Sequence, residues 1–448
     1  MLFKNYNKIV NNGQTPEIKN ARKDILEIFS YALDAVDPYN AVISKFNGNY
    51  ISFKSKKFDV SKYENIYLIG FGKASIRMAQ AVCDSVEISE GLVITNEKNK
   101  KVDSKKVITI LGDHPIPSKR NIEGTDKLLD LLKKINENDL LMVLISGGGS
   151  ALLCKPRISI FDMKKITDYL LKSGANINEI NTIRKHLSFV KGGQLVDFCK
   201  GKILSFIISD IVNDPIEFIA SGPTYPDSTT FLDAKNIFKK YKLWKIIPNS
   251  ARDIIEKGVL KKIPETLKIG NPVFKRVNNF IVANNEIACN AAIKKAEALN
   301  YKTMLLTTSL EGEAEVMGKF LVEKTINYSS FSEKLLFVSG GETTVTLSGS
   351  GKGGRNQEMV LGSVISFSNN KLIFSSFATD GIDGNSDAAG AIADGFTYLR
   401  AKKNKLNYNK FLNQNDSYNF FKKLDDLLIT GSTGTNVMDI QIIIKLTN

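Results

Sequence analysis

Two basic residues stand directly behind glycines at points where a helix is about to begin. Lys73 lies in Gly70-Phe71-Gly72-Lys73-Ala74-Ser75, and Arg355 in Gly349-Ser350-Gly351-Lys352-Gly353-Gly354-Arg355-Asn356. The first turn of a helix already carries positive dipole charge, so a cation there gains nothing locally and is accounted for by an anion arriving from elsewhere. A guanidinium in such a position stabilises charge on a transferring phosphoryl group. The run Ser146-Gly147-Gly148-Gly149-Ser150 adds three consecutive glycines, whose entropy cost is excessive for a plain turn and whose N–H groups suit a phosphate or carboxylate.

Carboxylates complete the set. Asp210 and Asp214 sit four residues apart after an apolar run and suit Mg²⁺, which takes one or two carboxylates together with substrate oxygens and water. Read as structure alone, an aspartate at a strand end caps the next helix. Glu342, in Gly340-Gly341-Glu342-Thr343-Thr344, serves as an acidic site residue or pairs with one of the cations, and Asp380 begins an acidic loop suited to Mg²⁺ or substrate hydroxyls. Of the two histidines, His114 is the better site candidate because it lies in the rigid loop Gly112-Asp113-His114-Pro115-Ile116-Pro117.

Such loops need strands behind them. Apolar runs at 65–69, 91–95, 107–111, 140–145 and 203–209 alternate with amphipathic helical patterns, after an opening helix over 20–36. Near-continuous apolar runs suit parallel strands covered on both faces, so the first half predicts a doubly wound α/β sheet, in which ligands bind beyond the carboxyl ends of the strands. A less patterned stretch from 224 to 272 holds the only tryptophan and four prolines. The rhythm then restarts with strands expected at 280–283, 303–306, 335–338, 345–347, 372–377 and 436–446. Two α/β domains are predicted, 1–240 and 241–448, in line with a length that exceeds one ordinary core.

Composition narrows the classes further. With 43% hydrophobic and 24% charged residues, neither disorder nor a fibrous chain is indicated. The formal charge of +14 is spread along the chain rather than gathered in a stripe, which predicts a solvated basic surface and no nucleic-acid partner. The four cysteines are far apart and lack metal-ligand spacing; no signal core or membrane-length apolar run is present, and a cytoplasmic protein is expected. Neither Gly72-Lys73-Ala74 nor Gly351-Lys352-Gly353 has Ser or Thr directly after the lysine, so the phosphate-binding signature of P-loop kinases is absent.

Taken together, GFGKAS, GDHPIPS, SGGGSALL, INTIRKHLSFVKGGQL, SDIVNDP with ASGPT, GGETTVTLSGSGKGGRNQE, TDGIDGNSDAAGA and GSTGTNV resemble the glycerate 2-kinases that end in a MOFRL domain, some of which are labelled hydroxypyruvate reductases. The resemblance runs from about residue 20 to the C-terminus; Ser432 stands where the family pattern has a proline. It implies an N-terminal Rossmann-like domain and a C-terminal MOFRL domain, with the active site in the cleft between them. It also implies ATP and Mg²⁺ as cofactors and glycerate as the small-molecule substrate. Lys73 and Arg355 match the family's paired cations, and Glu342 with Asp210 or Asp214 its acidic groups. Gly72, Ser75, His114, Ser146, Gly147, Gly148, Gly149, Ser150, Gly353, Gly354, Asn356 and Asp380 are the expected substrate- or nucleotide-binding positions. A monomer or homodimer without membrane partner is expected. Other readings are a kinase for another small hydroxy acid, a metabolite sensor, and a nicotinamide-dependent hydroxypyruvate reductase, for which Gly70-Phe71-Gly72 and Glu97 would be the cofactor site and against which Ser75 replaces the third glycine.

Overall fold

The computed structural model describes residues 1–53, 56–328 and 334–446. They form two compact units, one of Pro38–Ser209 and Asp214–Val282, the other of Met1–Asp37, Asp210–Asn213 and Ala283–Asn448.

The first of these carries a small antiparallel sheet of β1 (Phe46–Asn47), β2 (Tyr50–Phe53) and β3 (Lys56–Asp59). Its main sheet contains β4 (Ile66–Phe71), β5 (Glu90–Thr95), β6 (Val107–Leu111), β7 (Leu140–Ile145), β8 (Lys202–Ile208) and β9 (Val277–Ala283), in the order β6-β5-β4-β7-β8-β9. From β6 through β8 every pairing is parallel. Every residue of β7 is buried, which is why its sequence, LLMVLI, shows no alternation. The chain steps outward from β4 to β5 and β6, then returns to the other side of β4 with β7. This reversal between β4 and β7 is the topological switch point at which α/β sheets open a ligand crevice. Helices Ile160–Lys172, Ile177–His186, Phe231–Lys240 and Asn249–Val259 share a separate apolar core built on Ile166, Leu170, Ile183, Phe231 and Phe238.

The other unit is a mixed sheet of β10 (Lys302–Leu310), β11 (Leu335–Gly341), β12 (Leu372–Ala378), β13 (Gly390–Asp394), β14 (Leu427–Leu428) and β15 (Asp439–Lys445), in the order β10-β11-β15-β12-β13-β14. β10 and β11 are parallel, and the remaining neighbours antiparallel. The final strand therefore lies mid-sheet, and its Asp439 is placed opposite Gly341 on one side and Ala378 on the other. The helix Pro16–Ala35 belongs here, capped by Thr15. Its Arg22, fully buried, donates to Asp394 and Asp426, so the charge is compensated where it is buried.

Several expectations change. The strand expected at 280–283 spans Val277–Ala283 and joins the parallel sheet of the first unit, and the opening helix packs with the second unit, so the contact division departs from a single cut after residue 240. No strand forms at 345–347: the Thr346 N–H goes to the Glu313 carboxylate, the Ser348 N–H goes to the Asn415 side chain, and Leu347 is 78% exposed. Side-chain acceptors thus replace a ladder partner. β13 was hidden from the sequence pattern because its residues, GAIAD, continue a Gly- and Asp-rich loop.

Candidate active site

The loops after β4 and β7 meet at the switch point. The Lys73 N–H donates to the Gly147 carbonyl at 2.9 Å and the Ala74 N–H to Ser146 Oγ at 3.1 Å. Gly72 has φ 135°, and a Cβ there would lie 2.1 Å from Ser146 Oγ, so only glycine allows this approach. Ser75 is buried, its hydroxyl donating to the Gly72 carbonyl, and this locks the turn. Lys73 is exposed. A Cβ on Gly148 would sit 3.0 Å from the His114 ring and 3.3 Å from Lys73 Cγ, so these three residues are neighbours. Burial first, and the Lys73 charge second, hold the His114 imidazole below the usual histidine range.

Asn121, a residue the motif reading passed over, fastens the His114 loop to the glycine loop. Its amide donates to the carbonyls of Asp113 and Ala151, and its oxygen accepts from the N–H groups of Asp113 and Ser118. The Ser150 hydroxyl is 2.9 Å from that of Ser221, which in turn donates to Asn181. Gly149 abuts Ala220 and Phe71, where a Cβ would not fit. The segment 213–222 is strained, with positive φ at Asn213, Asp214, Ala220 and Ser221. Asp210 and Asp214 fall in different units.

In the second unit, Arg355 opens the helix Arg355–Ser363 and is gripped by two carboxylates. It meets Asp439 through Nε at 2.5 Å and Nη2 at 3.1 Å, and Glu342 through Nη1 at 2.7 Å. Burial opposes the guanidinium charge, but Asp439 and Glu342 outweigh it and raise its pKa. Glu342 is pushed above the usual carboxylate range by burial, and Asp439 and Asp210 add to this against the Arg355 charge. Asp439 was absent from the motif reading because its function depends on strand placement rather than on a local pattern.

The glycine cluster before Arg355 is bound by the protein itself. The N–H groups of Ser348 and Gly349 go to Asn415 Oδ1, that of Gly351 to the Gln414 carbonyl, that of Lys352 to Asp416 and that of Gly353 to Asn385. Gly354 packs where a Cβ would meet Asp383 at 2.3 Å. Asp383 accepts the backbone N–H groups of Asn356 and Gln357, taking the place at the helix start that an external anion was expected to fill. Asn356 is buried, donating to Asp383 and accepting from Ser376. Asp380 accepts from the Ile382 N–H through its side chain and from Thr433 through its carbonyl, joining the TDGIDG and GSTGTN loops. Among the described residues no group of three or more His, Cys, Asp or Glu side chains converges to hold a metal.

Family models for a domain of unknown function, DUF4147, and for the MOFRL family match residues 24–256 and 335–439. A glycerate 2-kinase from Pyrococcus horikoshii is 42% identical over 94% of this chain and 96% of its own length. The chain belongs to the glycerate 2-kinase family. A D-glycerate 2-kinase from Thermotoga maritima is 34% identical over 94% of this chain and 98% of its own. A crystal structure of a glycerate kinase from the same organism matches with a TM-score of 0.85, covering 96% of this chain and all of that one, at 34% identity. Within this glycerate 2-kinase family member, the motif-bearing loops occupy the two stations described: the β4–β7 switch point, and the Arg355 cluster at the end of β11 and the start of β15.

Proposed function

We propose that this chain transfers the γ-phosphoryl group of ATP to the 2-hydroxyl of D-glycerate, yielding 2-phosphoglycerate and ADP. The observation that carries the reading is the presence of two cations, Lys73 and Arg355, each behind glycines at a helix start, in a chain that matches the Pyrococcus horikoshii relative over 94% of its length. The glycerate hydroxyl oxygen bonds to the γ-phosphorus, the bond from that phosphorus to the β-γ bridging oxygen breaks, and the hydroxyl proton passes to a carboxylate. Such transfer needs positioning and charge stabilisation rather than a covalent intermediate. Lys73 binds anionic oxygens beside the Gly147–Gly148 loop. Arg355, oriented by Asp439 and Glu342, steadies charge on the transferring group.

Among the described residues no three-carboxylate cluster is built to hold a metal, so a magnesium ion would depend on one or two protein carboxylates and otherwise on substrate oxygens and water, the mode this ion favours. Asp210 or Asp214 would hold it together with oxygens of the substrates, and when bound it neutralises phosphate charge. No described helix is long and apolar enough to cross a membrane; we place the activity in the cytoplasm, on small molecules, in a monomer or homodimer.

ADP formation by the purified protein with ATP, Mg²⁺ and D-glycerate, with identification of the product isomer, tests the reading. Glycerate-dependent 2-phosphoglycerate, lost in Lys73→Ala and Arg355→Ala, is the expected result. Oxidation of NADH or NADPH by hydroxypyruvate without phosphorylation would overturn it.

A further inference from the structure

The Rossmann-like unit holds a cavity of about 410 Å³ beside the glycine loop after β7. Gly148 and Ser150 form one side, the His114-Pro115-Ile116-Pro117 segment another, and Ile160 and Met163 of helix Ile160–Lys172 a third. Its lining is strongly cationic: Lys155, Lys164, Arg184 and Lys191 stand against a single carboxylate, Asp168. Lys191 is 6% exposed and lines the cavity, yet its ammonium donates only to the carbonyls of Ser150 at 2.7 Å and Leu153 at 3.0 Å, with no carboxylate partner among the described residues. Arg184, also on the wall and largely buried, makes neither ion pair nor hydrogen bond among the described residues.

This neglect is local. Lys185, the very next residue, is fully buried and pairs with Glu217 at 2.8 Å and Asp227 at 2.7 Å, and Arg22 in the other unit pairs with Asp394 and Asp426. A buried cation without a counter-charge is costly, and two on one cavity wall call for an anion from outside the chain. Burial, opposed only in part by the Cys154 thiol and deepened by Arg184, brings Lys191 down to about 8, as expected of an ammonium whose counter-ion is missing. Gly148, whose N–H has no protein acceptor among the described residues, lines the same cavity. A three-carbon acid would leave most of this volume unfilled, whereas the range of ligand cavities that includes it accommodates nucleotides.

We propose that this cavity seats the phosphoryl donor, a nucleoside triphosphate, with its phosphates on Arg184, Lys191 and the Gly148 N–H and its base against Ile116, Ile160 and Met163. The assignment rests on the kinase reading and extends it by naming residues that hold the donor. Calorimetric titration of the full-length protein with ADP needs no turnover and so separates the two claims. Arg184→Gln strands no protein partner, and Thr167→Phe fills the cavity from helix Ile160–Lys172. Both are expected to weaken ADP binding by about tenfold or more, near 1.4 kcal/mol, and to raise KM for ATP while KM for glycerate stays unchanged. Unaltered ADP affinity in both variants, with wild-type melting curves, overturns the assignment; so does a rise in KM for glycerate alone, or a wild-type protein that binds no nucleotide. A wild-type protein that binds ADP and loses it in both variants, but phosphorylates no glycerate, sinks the kinase reading and upholds the cavity.

Discussion

Asp439 and Arg355 face each other through two contacts, Nε to Oδ2 at 2.5 Å and Nη2 to Oδ1 at 3.1 Å, although 84 positions separate them in the chain. A bidentate pair fixes the plane of the guanidinium as well as its position. Asp439→Asn removes the charge and one acceptor, leaving Arg355 to Glu342. Steady-state kinetics should show kcat lowered by about 10- to 100-fold, the effect of misplacing a catalytic group by roughly an ångström. A thermal melt close to wild type would confirm that the fold is intact, and an unchanged kcat would show that Asp439 does not position Arg355.

Gly72→Ala attacks the other station. The substitution imposes a Cβ at φ 135° and 2.1 Å from Ser146 Oγ, so the Lys73 turn must move away from the loop after β7. Stability should fall by more than about 1 kcal/mol from the backbone conformation alone, with activity falling further than stability. Denaturant titration and kinetics on the same preparation separate these effects.

Glu358 offers a pH test. Burial first, with help from Glu315 and Asp383, brings its carboxyl up to about 7, although Asn415 and Ser417 favour the ionised form. A folded-state pKa above the unfolded value of 4.5 means the native protein holds the proton more tightly; this contribution is complete below about 4.5 and is lost as pH rises through about 7. Asp383, raised to about 6 chiefly by burial, acts in the same direction. Glu358→Gln keeps an acceptor for Asn415 and removes the buried charge. It should stabilise the protein at pH 8 by on the order of 2 kcal/mol relative to wild type and make little difference near pH 4.5, as read by denaturant midpoints at each pH.

Arg22→Met removes the single side chain that both Asp394 and Asp426 use. Arg400 still reaches Asp426, so Asp394 is the group left uncompensated. Loss of about 3 to 5 kcal/mol is expected, measurable as a lowered melting temperature. Replacing Asp394 by Asn in the same chain should recover part of it.

The strands of the Rossmann-like sheet were legible because burial on both faces writes continuous apolar runs into the sequence, as in LLMVLI. Lys73, the Ser146–Ser150 loop and Arg355 stand out as candidates for another reason, since glycines beside a cation or a helix start form a local pattern. Asp439, Asn121 and Asp383 were not. Each acts across the chain on a loop distant in sequence, and an aspartate opening a strand of Ile residues or an asparagine inside a helix carries no sign of its partner. Gly349 and Gly351 have a structural use that their sequence does not show: their small size admits the backbone of 414–416.

The buried Arg22 clamp bears on the order of events during synthesis. Asp426 lies 404 residues after Arg22, so the helix Pro16–Ala35 emerges from the ribosome long before the carboxylates that neutralise it exist. The unit built mainly on 38–282 can assemble first, as domains do when they leave the tunnel in turn. The other must wait for β15, its central strand and the last to be made. A nascent chain therefore carries this amphipathic helix without its main packing partner, the helix Asn285–Ala298, for as long as residues 38–282 are being made.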